Sequence, residues 1–263
     1  MSATPHYKYL DYAKATTRIE GRKVLEVGGS TPPKMLQRYA PAQWTSVNLN
    51  DRDINLANEE ARELKLSNYA AISHDITTFD NGEQYDLVYS INAFEHIHDL
   101  DVAFEKMYAR LAPGGYMFTL FGPIWSCDVG HHLSIPLADN KAITFLDGTL
   151  GPWEHLTSNR EAIHAKISAA HDETVAEKVV TYIYDYPDLN RLFERDYLKL
   201  VDDSDFNTVL TLRNKHGNPP DIDGATSTRE LMLVLKKGPV SVFEKLSCIA
   251  KFAMMFGSHK LRS

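Results

Sequence analysis

Residues 122–136, GPIWSCDVGHHLSIP, bring Asp128, His131 and His132 within five positions. Imidazole titrates near neutrality, so one of the two rings could act as a general base while Asp128 fixes its tautomer. Adjacent histidines in a loop point in different directions, which leaves the second ring to orient the loop. The alternative is that both rings bond loop backbone. As a magnesium cage the trio is poor, because that ion takes oxygen ligands, and no metal is expected. Three further segments carry reactive types. Glu95-His96 and His98 suit the anchoring of a turn, with contact to a ligand as the other reading. GPWEHLTSNRE (151–161) holds Trp153 and His155, an aromatic face beside a polar tip that could stack on a sugar or sit in a core. YIYDYPDLNRLFERDY (182–197) adds Tyr182, Tyr184, Tyr186, Arg191 and Arg195. These form either a pocket wall in which arginine meets a carboxylate or phosphate, or a solvated helix face.

The elements that must position these groups alternate in type. KVLEV (23–27), WTSVNL (44–49), YAAISH (69–74), YDLVYS (85–90) and YMFTLF (116–121) are short apolar strands. Helix-like stretches lie at 32–40, 53–65 and 100–111, and a short helix over 5–19 leads in. Alternation of this kind implies a parallel sheet with right-handed crossovers. After Phe121 it stops for about eighty residues, then resumes with strands at 207–214 and 230–237. The intervening insertion has its own helices, one started by a capping box at Ser158-Asn159-Arg160-Glu161 and another over 188–201. Such segments beside a parallel sheet build substrate pockets.

The 263 residues suffice for one core carrying an insertion. An apolar fraction of 43% and a charged fraction of 24% are ordinary for a globular chain, and a net charge of −7 opposes nucleic acid as a partner. Cys127 and Cys248 are the only cysteines, too few for a disulfide framework or a zinc knuckle. With an N-terminus unlike a secretory signal, a cytoplasmic setting is expected. The tail, SVFEKLSCIAKFAMMFGSHKLRS, sets Val242, Phe243, Leu246, Ile249, Ala250, Ala253 and Met254 on one helical face, ringed by Lys245, Lys251, Lys260 and Arg262. That face could pack on the domain, on a second subunit as a homodimer, or peripherally on an anionic membrane.

The first strand runs into GRKVLEVGGSTPPKML (21–36). Gly28 and Gly29 allow a tight bend and close approach of a ligand to bare backbone. Thr31 can cap a helix with Pro32 in its first position. A dinucleotide would want GxGxxG and a full set of N–H donors for its pyrophosphate, so NAD is disfavoured and S-adenosylmethionine, which has no phosphates, fits better.

VLEVGG, HDITTF, YDLVYSINAFEHIHD and LAPGGYMFTLF, in this order and spacing, resemble the class I S-adenosylmethionine-dependent methyltransferases over residues 21–122. The resemblance implies an α/β fold, a Rossmann-like seven-stranded, mostly parallel sheet with helices on both faces, a helical insertion between strands five and six, and a final antiparallel pair. It makes Glu26 the acidic residue and Gly28 the first glycine of the first motif. By the resemblance Asp75 stands where the family holds the adenine amine, Ile76 beside it is a further cofactor residue, and Asn92 and Ala93 border the cofactor. Gly29 and Ser30 continue the loop, although Ser30 and Pro32 depart from the usual glycine run. Asn48, beside Leu49, stands where the family has an acid for the ribose diol; Asp51 lies three residues on. The implied organisation is a single domain, 1–263: an N-terminal helix (1–20), cofactor core (21–122), substrate-side insertion (123–203), final strands (204–238) and amphipathic helix (239–263).

The GHH loop, the PW-x-HL segment and YP-x-LNRLF-x-x-DY resemble, more loosely, methyltransferase-like proteins found with bacterial surface-polysaccharide biosynthesis. The expected activity is therefore methylation of a small-molecule or glycan hydroxyl, with His131 or His132 as base and Trp153, His155, Tyr184 and Arg191 on the acceptor. An N- or C-methyltransferase, or a cofactor-binding partner without turnover, are the alternatives.

Overall fold

A computed structural model describes residues 4–29, 31–138 and 141–260. The chain opens with α1 (Thr4–Thr17), β1 (Lys23–Val27), a one-turn α2 (Pro33–Leu36), β2 (Gln43–Asn48), α3 (Asp51–Glu63), β3 (Tyr69–Ser73) and β4 (Tyr85–Ile91). A 3₁₀ turn (Phe94–His96), α4 (Leu100–Arg110) and β5 (Leu111–Phe121) follow. The insertion contains β6 (Ser134–Pro136), β7 (Ala142–Thr144), α5 (Glu154–Thr157), α6 (Arg160–Ser168), α7 (Glu173–Tyr184) and α8 (Glu194–Asp203). Then come β8 (Asn207–Lys215), β9 (Thr228–Lys236) and α9 (Val242–Lys260).

The main sheet has seven strands in the order β3-β2-β1-β4-β5-β9-β8. The first five are parallel, and β9 is antiparallel to both β5 and β8. Successive side chains of a strand point to opposite faces, so each central strand feeds two cores. Leu25, Val27 and Val88 enter one with Phe94, Phe104 and Phe121, while Val24, Leu87 and Tyr89 enter the other with Trp44 and Phe118. This two-sided burial explains why the strands read as continuous apolar runs.

The insertion has a third core, in which Leu133, Ile163, Ile167, Val179 and Ile183 pack around Trp125. Its helices differ from expectation. Asn159, not Ser158, caps α6 by accepting the Ala162 N–H. The helix placed at 188–201 begins at Glu194, because Arg191 turns the backbone at φ +55°. The helix at 32–40 is cut to one turn, and α7 and the β6–β7 hairpin were not foreseen.

α9 buries Cys248, sets Phe252 against Tyr12 of α1 at 5.1 Å between ring centroids, and leaves Val242, Phe243, Leu246, Ile249 and Met254 exposed. Arg262 lies outside the described residues. Among the described residues no helix is long and apolar enough to cross a membrane.

Candidate active site

The chain leaves β1 towards β2 on one side, and leaves β4, its other neighbour, towards β5. A crevice opens at the carboxyl ends of strands where the order reverses in this way. A cavity of about 660 Å³ occupies it, walled by the ends of β1, β2 and β3, by the turn after β4, and by Tyr186 and Asp188 of the insertion. Gly28, Asn48, Leu49, Asp75, Ile76, Asn92 and Ala93, the residues expected at the cofactor, all line it. At Gly28, φ is +76° and an added Cβ would stand 2.4 Å from the Ala93 Cβ, so only glycine lets the loop pass. Leu49 is 70% exposed and Ile76 only 6%, giving the cavity an apolar ledge and an apolar floor. Asp75 Oδ1 accepts the Thr77 N–H and hydroxyl, both at 2.8 Å, which turns the loop after β3. Asn48 Oδ1 accepts from Asn50 N–H at 3.2 Å, and Asn50 in turn caps α3.

Glu26 and Gly29 are not in this wall. Glu26 is buried behind the loop, where it accepts the Thr31 N–H (2.9 Å), the Thr31 hydroxyl (2.5 Å) and the Trp44 indole N–H (2.9 Å). Its role is to shape the loop. Thr31 consequently does not cap α2; Pro32 occupies that position without a side-chain bond. A Cβ on Gly29 would meet Glu26 Oε1 at 2.7 Å. Ser30 lies outside the described residues.

The GHH loop sends its three candidates in three directions. Asp128 is buried and accepts from Arg229 Nε at 3.1 Å, Arg229 Nη2 at 2.5 Å and His216 Nδ1 at 2.7 Å. Burial pulls its carboxyl up, but these bonds outweigh that and hold it below the usual range. It ties the loop to β9 and orients neither His131 nor His132. His131 is 1% exposed, packs at 5.4 Å against His155, and is pushed down to about 3 by burial and the neighbouring imidazoles. It belongs to the core and cannot serve as the base. His132, held at φ +52°, turns the other way. Its Nδ1 donates to the Gly130 carbonyl at 3.1 Å and its Nε2 stands 4.0 Å from Glu95 Oε1. Its ring meets the edge of His96, a cavity residue, at 5.4 Å.

The four acceptor candidates are structural. Trp153 Nε1 donates to the carbonyls of Ser126 (3.1 Å) and Thr226 (3.3 Å). His155 Nε2 donates to the Trp125 carbonyl at 2.8 Å, and burial drives the ring down to about 4. Tyr184 donates to the Ser158 carbonyl at 3.2 Å. Arg191 closes the end of α7, donating to the carbonyls of Ile183, Leu189 and Tyr186 at 2.9, 3.0 and 3.1 Å. None of the four lines the cavity. By fixing the Tyr186 and Leu189 carbonyls, Arg191 nevertheless positions the Tyr186–Asp188 segment that does. Asn190, unremarked in sequence, donates to the Phe94 and Ile97 carbonyls at 2.6 and 2.9 Å and clamps the Glu95-His96 turn.

This chain belongs to a methyltransferase family: the family model described as "Methyltransferase domain" matches residues 6–142. The domain is of the class I, S-adenosylmethionine-dependent kind. A sterol 24-C-methyltransferase of Debaryomyces hansenii is 33% identical over 100 residues, 36% of this chain and 26% of that protein. An (S)-coclaurine N-methyltransferase of Thalictrum flavum subsp. glaucum is 28% identical over 110 residues, 41% of this chain and 30% of that one. The chain thus spans under a third of the length of these relatives. An S-adenosylmethionine-dependent methyltransferase structure from Mesorhizobium loti shares the fold, with a TM-score of 0.57 at 11% identity, covering 89% of this chain and 100% of that one.

Proposed function

We propose that the chain methylates a hydroxyl of a neutral small molecule or glycan. The cleft fits the cofactor: Gly28 keeps the first loop bare against Ala93, Leu49 and Ile76 offer apolar surface to adenine, and Asn48 and Asp75 stand ready for the ribose diol and the adenine amine. Bound there, the sulfonium would supply an activated methyl, the carbon–sulfur electron pair staying on sulfur as an acceptor oxygen bonded the carbon. The chain's part is to align the acceptor, exclude water and take the hydroxyl proton.

The observation that carries this reading is the meeting of His132, delivered by the insertion, with Glu95 directly behind His96, the one of the three that lines the cavity. A hydroxyl must lose its proton as it is methylated, whereas an amine with its lone pair available needs no such group. Asp75, Asp99 and Asp188 line the cavity, and no lysine or arginine does among the described residues. That favours a cationic sulfonium and disfavours an anionic acceptor, so an arginine-held phosphate gives way to a neutral partner. Tyr186 offers a ring face on which a sugar could stack.

The test is incubation with methyl-labelled cofactor and a panel of sugars, phenols and amines, with the labelled atom located by NMR. We expect an O-methyl product, and His132→Ala to lower turnover about 10²-fold or more while calorimetry gives cofactor affinity within about threefold. Label found on nitrogen or carbon, or full turnover in His132→Ala, overturns the reading.

A further inference from the structure

We propose that Glu95, His96 and His132 hold a divalent transition-metal ion of the zinc or cobalt(II) kind at the acceptor end of the cleft. One ligand atom from each of the three lies within 4.8 Å of the other two. Donors 2.0–2.1 Å from a tetrahedral ion stand about 3.4 Å apart, so each side chain needs to move by less than about 1 Å to close on one.

The hydrogen bonds around the three groups set them up as donors. His132 Nδ1 faces the Gly130 carbonyl at 3.1 Å and His96 Nδ1 faces the Asp188 carbonyl at 2.6 Å. A carbonyl only accepts, so each ring donates from Nδ1, which leaves Nε2 as the nitrogen able to offer a lone pair to an ion. Metal-bound histidines are held in this way by their other nitrogen. His132 Nε2 then points a lone pair at a carboxylate oxygen 4.0 Å away, an arrangement that a cation between them resolves. Glu95 adds a second sign. Its side chain is 2% exposed, Oε1 accepts only the Gly122 N–H at 3.2 Å, and Oε2 is buried with no partner among the described residues. An unsatisfied buried carboxylate oxygen is costly, and an ion would satisfy it.

Two imidazoles and one carboxylate select a transition metal over magnesium and leave coordination positions open. His96 is exposed, which gives the ion a path in. The role of the ion rests on the hydroxyl reading above. With the ion bound, His132 would act through it as a ligand and not as the proton acceptor itself: the acceptor oxygen would fill an open position, its proton would become easier to lose and would pass to solvent at the cavity mouth, and the oxygen would then attack the methyl carbon.

The test uses tag-free full chain, dialysed against chelator and titrated with Co²⁺ alone, read by visible absorption and by elemental analysis. We expect one ion per chain with the absorption bands of a four- or five-coordinate site. Affinity should fall at least tenfold in Glu95→Gln, His132→Ala and His96→Ala and hold in His98→Ala, with thermal melting as the check on folding; His96, being exposed, can be removed without disturbing the core. Absence of binding at 100-fold excess Co²⁺, or binding unchanged in His96→Ala, overturns the site. O-methylation that persists in metal-free enzyme overturns the ion's role and leaves the hydroxyl reading standing; a bound ion with an N-methyl product does the reverse.

Discussion

The side-chain amide of Asn190 donates to the Phe94 carbonyl at 2.6 Å, across 96 positions of sequence. Its Oδ1 accepts the Tyr197 hydroxyl at 3.0 Å, and the backbone N–H of Asn190 reaches the Glu95 carbonyl at 3.0 Å. One residue thus fastens the insertion to the turn that carries Glu95 and His96.

Replacing Asn190 with alanine leaves two partly buried carbonyls and a tyrosine hydroxyl without their partner. We expect a loss of about 2 kcal/mol in urea unfolding. Turnover should fall further than stability alone explains, at least tenfold under conditions where the variant is fully folded, because His96 and Asp188 lose their relative placement. An unfolding midpoint equal to the parent's would show that the clamp is not a stabilising contact.

Gly28→Ala places a methyl 2.4 Å from the Ala93 Cβ at a backbone φ of +76°. The Ala93 wall and the first loop must part, and cofactor affinity by calorimetry should fall tenfold or more. Gly82 has nearly the same φ, +72°, but nothing within 4 Å of its Cβ site. Gly82→Ala should therefore show only the backbone penalty, about 1 kcal/mol of stability, with cofactor binding intact. Equal effects of the two substitutions on binding would mean that the Ala93 contact does not shape the cleft.

His155 makes the fold sensitive to acid. Its Nε2–H is bonded to Trp125, while Nδ1 is buried with no partner among the described residues, so a second proton would find no acceptor. The folded ring titrates at about 4 against an ordinary value near 6.5. The unfolded chain therefore binds the proton first as pH falls. Stability is complete above about pH 6.5, declines below it, and has lost about 3 kcal/mol from this group once pH passes about 4. Calorimetric melts from pH 7.5 to 4.5 should show the decline, flattened in His155→Gln, which keeps a donor for the Trp125 carbonyl and cannot titrate. A parallel pair of curves would remove His155 as the cause.

The sheet was legible because strand and helix periods are local: Val24, Leu25 and Val27 announce a two-sided strand without reference to anything distant. The lining of the cleft at the strand ends was legible for a related reason, since Gly28, Asn48, Asp75 and Ala93 sit where the order of the fold puts them. The acceptor side was not. Whether Asp128 faces the adjacent histidines of its own loop or Arg229 and His216 is decided by residues 101 and 88 positions away, and spacing within the GHH loop is silent about it. Glu26 was read as a cofactor residue because its position next to the glycines is right. Its indole partner, Trp44, lies on the neighbouring strand two residues before Ser46, the residue opposite Glu26 on the same face, and alternation alone does not identify it.

Trp153 bridges the Ser126 carbonyl at the start of the insertion and the Thr226 carbonyl between the last two strands, and its ring fills the space that a Cβ on Gly217 would need, at 2.9 Å. The loop that brings His132 to Glu95 is therefore pinned by chain made nearly a hundred residues later, though none of that later chain touches the cavity. The last two strands must therefore be in place before the GHH loop can take its final position against the cleft.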